Sequence, residues 1–418
     1  MDQFDLMSIL LTLAALSGFV SNRWLRLPGT VGAFLLASAF AFATTAVSAL
    51  VPAMLDIRGW EQRLITAANL PDTLLQGALA FLLFASAVEE DGGELWRRRW
   101  PVTALATLSV VISTAVLGTA MWMLLGPLGR PVPFVWCLVL GAALAPTDAV
   151  AVQAVLEHSP LPSGLRAAIA GESLFNDGAG VVLFALLLGI AMGTETDVTV
   201  AGAVWDFVVE ACGGTLLGLA TGTLAYWAKK RADDAAVELS ISLALAAATY
   251  SLALRLGVSG PIAVVVAGLL IGSTAQRHVS SERTGRTLKV FWRMMNAILN
   301  TMLFLLVGLE AAILSSWSGA VLLAALAAPL VALVARLASV IPVVLLAHGR
   351  YRRKAAATLV LVWGGVRGGV AVALVLSLPE SPHRDALLTV CYAVVAFTIL
   401  VQSPTLGWLA RRAFPDSA

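Results

Sequence analysis

The chain has 418 residues, 59% of them hydrophobic and only 12% charged, with a mean hydropathy of +0.89. A soluble domain carries about 25% charged residues, so this composition excludes a soluble globular protein and leaves the bilayer as the solvent. The near balance of 27 Lys+Arg against 25 Asp+Glu excludes a nucleic-acid binder.

Hydropathy and helix breakers divide the chain into thirteen segments. They lie near 6–22, 30–51, 72–90, 101–125, 132–156, 165–193, 199–228, 235–256, 259–273, 286–311, 317–347, 355–378 and 386–410. Each approaches or exceeds the roughly 20 residues that span a bilayer. The first, from Leu6 to Val20, follows Asp2 and Asp5 instead of basic residues. It therefore reads as a membrane helix, not a signal peptide, and the spans leave no long soluble tail at either end. The ninth segment is short and carries Gly260-Pro261. The tenth carries Lys289, Arg293, Asn296 and Asn300, so its start is amphipathic. Glu310 stands at its far end and is expected to face water. Cys137, Cys212 and Cys391 are scattered through apolar runs, a pattern of small buried side chains with no metal or disulfide framework.

Loop charge gives the orientation. With the N-terminus outside and the C-terminus in the cytoplasm, nineteen of the 27 Lys+Arg fall in inner loops and five in outer ones. Among the inner ones are Arg97, Arg98, Arg99, Lys229, Lys230 and Arg231. This is the asymmetry of the positive-inside rule.

Thirteen spans read as six, a linker helix and six more. The predicted fold is an all-α polytopic membrane protein with inverted repeats, one transporter unit over 1–418. The fifth and twelfth spans hold corresponding places, and both are interrupted, by Ala145-Pro146-Thr147-Asp148 and by Gly364-Gly365-Val366-Arg367-Gly368-Gly369. Paired broken helices mark a transporter's binding site.

Five ionisable residues stand deep in spans: Asp148, Glu172, Asp177, Arg336 and Arg367. Each costs a few kcal/mol at mid-bilayer and is functional by default. In the sixth span Ser173 and Asp177 are four apart and share a helix face. Glu172 and Asp177 are five apart, so their directions differ by about 140°. They do not serve one ion as an equal pair: one faces the cavity and the other needs a partner, for which the lone Arg336 is the candidate. Ser173, Asn176 and Thr147 supply hard oxygens that suit a hard cation such as sodium. A carboxylate that holds a proton or a cation, but not both, is the minimal device for exchange.

Gly171-Glu172-Ser173-Leu174-Phe175-Asn176-Asp177 resembles the Gly-Glu-Ser-x-x-Asn-Asp signature of cation–proton antiporters of the NhaP and sodium–hydrogen exchanger type. Pro146-Thr147-Asp148-Ala149-Val150-Ala151-Val152 is similar to that family's Thr-Asp-Pro-Val-Ala-Val stretch. Trp363-Gly364-Gly365-Val366-Arg367-Gly368-Gly369 and Phe304-Leu305-Leu306-Val307-Gly308-Leu309-Glu310 resemble two further family runs. The resemblance implies exchange of sodium or lithium for protons by alternating access. Asp177 would carry the ion and proton, helped by Ser173, Thr147 and Asp148, with Asn176 shaping the site, Glu172 paired with Arg336, and Arg367 in support. It also implies core helices near 72–193 and 317–410 moving against dimerisation and linker helices near 1–71 and 199–311, in a homodimer in the lipid of a bacterial cell membrane. The cation and proton are cargo, and no cofactor is expected. Relatives with a Leu-Leu-Phe-Glu run carry a Glu in the third span, where Leu82-Leu83-Phe84-Ala85 places Ala85.

Rival readings have less support. An intramembrane protease would need a zinc motif, a buried histidine or an aspartate dyad; no His-Glu-x-x-His run is present, His158, His278, His348 and His383 all fall in predicted loops, and neither intramembrane aspartate sits in a Gly-x-Gly-Asp context. A channel would need a repeated carbonyl filter, and none appears. Potassium–proton exchange on the same fold is the alternative, and no residue pattern separates it from sodium.

Overall fold

The structure is a computed structural model. It describes residues 3–50, 57–69, 71, 77–127, 129, 131–148, 152, 161–193, 200–231, 234–272, 282–311, 319–347 and 353–415. In lipid a helix satisfies its own backbone groups and an open strand does not, and no described residue lies in a strand.

The helices follow the predicted segments. They run α1 Gln3–Val20, α2 Gly29–Leu50, α3 Ile57–Ala68, α4 Leu79–Glu89, α5 Gly92–Arg97, α6 Arg99–Ala106, α7 Leu108–Leu125, α8 Phe134–Leu144 and α9 Ser163–Met192. The second half holds α10 Val200–Lys229, α11 Ala235–Leu256, α12 Gly260–Leu270, α13 Glu282–Glu310, α14 Gly319–Leu346, α15 Lys354–Trp363, α16 Gly369–Leu376, α17 Arg384–Phe397 and α18 Ser403–Ala413. A π-helical turn, Thr398–Gln402, joins α17 to α18. Among the described residues nine helical stretches are long and apolar enough to cross a membrane, and α4, α8, α12 and α15 are shorter apolar helices. Each of the thirteen predicted segments overlaps one of these.

Two of the short helices have local causes. The Gly260-Pro261 pair starts α12 instead of interrupting it: Pro261 sits in the first turn, and the Ser259 hydroxyl accepts from the Ile262 N–H at 3.4 Å. α8 and α15 stop short because a break follows each. The hydropathy reading passed over α3, a short amphipathic helix that buries Leu64, Ile65 and Ala68.

The largest apolar core gathers α2, α7, α8, α13, α14, α16 and α17 around Phe34, Leu140, Phe304, Val372 and Val394. The outward faces stay apolar: Trp205, Leu216 and Leu224 on α10, and Leu326, Leu330 and Val334 on α14, are exposed. Such faces suit lipid and would be a liability in water.

Two charges sit differently from their predicted places. Glu310, expected to face water, is buried, because α17 brings Tyr392 over the end of α13 and the Tyr392 hydroxyl donates to Glu310 Oε2 at 3.4 Å. Lys229, assigned to an inner loop, closes α10 fully buried and pairs with Glu238 at the start of α11, 3.1 Å away.

Candidate functional site

The site begins with two backbone breaks that meet. Pro146 has no N–H and stops α8. After α15, the run Gly364-Gly365-Val366-Arg367-Gly368 is non-helical until α16 begins. The Asp148 N–H donates to Val366 O at 2.8 Å, which ties one break to the other. Gly368 is required by this approach, since a Cβ there would lie 2.2 Å from Asp148 Oδ2. Gly180 on α9 is required likewise, since its Cβ would lie 2.2 Å from Pro146 Cγ.

Breaking a helix frees carbonyls, and here they find donors. The Arg367 guanidinium donates to Ala145 O and, at 2.8 Å, to Pro146 O. Arg336 donates to Leu361 O from Nε at 3.2 Å and from Nη2 at 3.1 Å. Gln402 Nε2 donates to Trp363 O at 3.1 Å, and Thr398 Oγ1 accepts from the Arg367 N–H at 3.1 Å. Both Thr398 and Gln402 come from the π-helical turn after α17.

α9 divides its polar residues between two faces, as the spacing predicts. On one, Glu172 meets the Arg336 fork: Nη1 donates to Oε1, and Nη2 donates to Oε2 at 2.8 Å. Arg336 Nη1 also reaches Ser109 Oγ at 3.3 Å, and Ser109 donates to Ser339 Oγ at 2.9 Å. Such a bidentate pair is the strong form of the interaction. On the other face, Thr147 and Ser173 share a hydroxyl hydrogen bond of 3.1 Å, and Asn176, which its spacing of four puts on the Glu172 face, reaches round so that its Nδ2 donates to Thr147 Oγ1 at 2.8 Å.

That second face opens on a cavity of about 540 Å³, its mouth included. Asp177, Asp148, Ser173 and Thr147 line it, together with Ser86 of α4 and Asn300 of α13. Asp177 and Asp148 are half-buried. Among the described residues, none donates a hydrogen bond to the Asp177 carboxylate. Four candidate residues of the sequence reading thus meet at one cavity. Asn176 braces it, and Glu172, Arg336 and Arg367 hold the helices behind it. Ala85 is fully buried and adds nothing to the lining, whereas its neighbour Ser86 does. His383 stands at the start of α17 beside Trp136, away from the cavity. His158, His278 and His348 lie outside the described residues.

The sequence reading missed Ser86, Ser109, Ser339, Thr398 and Gln402, and saw Asn300 only as a polar residue. A lone hydroxyl in an apolar helix is a weak signal, because it can bond its own helix, as Thr45 does to Ala41 O at 2.9 Å.

A family profile described as "Sodium/hydrogen exchanger, transmembrane" matches residues 9–412. The chain belongs to the sodium/hydrogen exchanger family. It is 39% identical over 415 residues to the Na(+)/H(+) antiporter NhaP of Pseudomonas aeruginosa, covering 98% of this chain and 97% of that protein. It is 35% identical over 353 residues to the low-affinity Na(+)/H(+) antiporter NhaS1 of a Synechocystis strain, covering 82% of this chain and 64% of that one. The fold matches the sodium proton antiporter MjNhaP1 of Methanocaldococcus jannaschii, solved at pH 8, with a TM-score of 0.76 over the whole of both chains at 18% identity.

Two predictions follow from the geometry of this exchanger-family site. Glu172→Gln and Arg336→Ala should each cost about 3–5 kcal/mol, since each leaves a buried charge without its counter-ion. The double variant should lose less than the sum by about 1–3 kcal/mol. Unfolding in detergent checks this, and strict additivity would contradict the pairing. Gly368→Ala should cut transport on the order of tenfold or more by displacing Asp148. Gly319→Ala, where a Cβ meets nothing within 4 Å, should leave transport unchanged in the same vesicle assay.

Proposed function

We propose that the chain is a secondary active antiporter that exchanges sodium, or lithium, for protons across a cell membrane, with Asp177 as the carrier. The observation that carries this reading is the Asp177 carboxylate, which lines a cavity with Asp148, Ser173 and Thr147 and receives no hydrogen bond from a described residue. A carboxylate left open in this way is available to a cation or to a proton in turn.

The oxygens around it fit a small hard cation. Ser173 and Thr147 present hydroxyl oxygens, and Asn176, donating to Thr147, fixes the orientation of that pair. Asp148 stands at the break, where its backbone is tied to Val366. It contributes a second oxygen, directly or through water, without taking part in proton exchange. One exchanging carboxyl gives one proton for one monovalent cation, and transport is then electroneutral. The cation and proton are cargo, not resident cofactors.

The wider reading follows what the family resemblance implies. Core helices near 72–193 and 317–410, which hold both breaks, move against helices near 1–71 and 199–311, and a homodimer forms through the latter. The N-terminus lies outside and the C-terminus in the cytoplasm, which places the basic loops inside.

Dye-quench measurements in everted vesicles at pH 6 to 9 test the proposal. Sodium and lithium should collapse an imposed proton gradient, and potassium should not. Asp177→Asn, similar in shape but unable to hold a proton, should insert at wild-type levels and give no cation-dependent flux. Raising the proton concentration should raise the apparent KM for sodium and leave the maximal rate nearly unchanged, so high sodium rescues activity at acid pH. Flux in Asp177→Asn would overturn the carrier assignment. A rate that responds to membrane potential, or an acid block that saturating sodium does not relieve, would overturn the single-site exchange. Potassium-driven collapse would move the chain to the potassium reading.

A further inference from the structure

α13 carries two buried asparagines one turn apart, Asn296 and Asn300, and the second lines the cavity. Asn300 Nδ2 donates to Asn296 O at 2.9 Å and to Asn296 Oδ1 at 2.7 Å. The first partner fixes the amide's orientation, because a backbone carbonyl cannot donate and the group facing it must be the NH2. Both amide hydrogens of Asn300 are then committed. What remains is Oδ1, to which no described residue donates, on a residue that lines the cavity with Asp177.

The chain of bonds continues in the same sense. With its Oδ1 taken by Asn300, Asn296 turns Nδ2 toward Ser86 Oγ on α4, 3.4 Å away. Asn300 donates to Asn296 and Asn296 donates to Ser86, so Asn300 cannot flip without breaking two bonds. Asparagines between membrane helices often act only as glue, but glue spends both ends of the amide, and here the oxygen end is left over.

We propose that Asn300 Oδ1 is a ligand of the transported sodium, a neutral oxygen on a residue that lines the same cavity as Asp177, held in place by Asn296 and Ser86. The inference rests on Asp177 being the carrier. An amide does not titrate, so its contribution to sodium affinity is independent of pH and leaves the proton count alone.

Sodium-dependent transport by Asn300→Ala in proteoliposomes tests this, beside Ser86→Ala and Asp177→Asn. Asn300→Ala should raise the apparent KM for sodium roughly three- to tenfold, with the maximal rate within about twofold of wild type. The same factor should appear at pH 7 and at pH 8.5. Ser86→Ala, which removes the acceptor of the Asn296 amide together with one hydroxyl of the cavity wall, should raise the KM about twofold and serves where Asn300→Ala does not accumulate. A sodium KM equal to wild type in whichever variant folds overturns the proposal, and so does a loss of thermal stability without a KM change, the signature of glue. These results are read with Asp177→Asn inactive. An active Asp177→Asn would instead refute the carrier reading on which the ligand depends.

Discussion

The bilayer offers no water to a backbone carbonyl, so a membrane helix breaks only where other groups take over its hydrogen bonds. This constraint shapes the centre of the protein. Two helices are broken, and their carbonyls at Ala145, Pro146, Leu361 and Trp363 each accept from a side chain: Arg367, Arg336 or Gln402. The breaks also tie to each other through Asp148 and Val366. Without those donors the non-helical segments would leave polar groups orphaned in lipid, each costing several kcal/mol. The intramembrane arginines are thus as much part of the scaffold as the apolar core.

α9 shows how one helix serves two purposes. Its Glu172 face is closed: both carboxylate oxygens meet the Arg336 fork, and that arginine reaches on to the carbonyl of Leu361. Its Asp177 face is open, with hydroxyls nearby but no described donor to the carboxylate. The contrast separates an acid whose two oxygens are both held by a partner from one whose carboxylate is left open. Because Arg336 joins Glu172 to the end of α15, the closed face also fixes where the second break lies relative to α9. The open face inherits its geometry from the closed one.

Much of this was legible in the sequence, and the reasons differ by element. The spans stand out because lipid demands nearly continuous apolar runs. The Glu172–Arg336 pairing could be argued from two facts, the roughly 140° between Glu172 and Asp177 and the lone arginine in an otherwise apolar span. Arg367 could be placed at a break, but its targets on the other break could not, since that contact crosses 222 positions of chain. Glu310 was misread because a span's end says nothing about Tyr392, which arrives from a distant helix to cover it. α3 escaped because it is short and amphipathic. Asn300 looked merely polar, for only the direction of its hydrogen bonds distinguishes a presented oxygen from an interhelical tie.

The central claim is that sodium displaces a proton from a single carboxyl at Asp177. Calorimetric titration of the purified protein with sodium, repeated in buffers of different ionisation enthalpy, counts the protons released per ion bound. At the acid end of the activity range the account predicts that release approaches one proton per sodium in the wild type, and that Asp177→Asn neither binds sodium measurably nor releases a proton. Sodium binding by the wild type without proton release, or release that persists in Asp177→Asn, would contradict it.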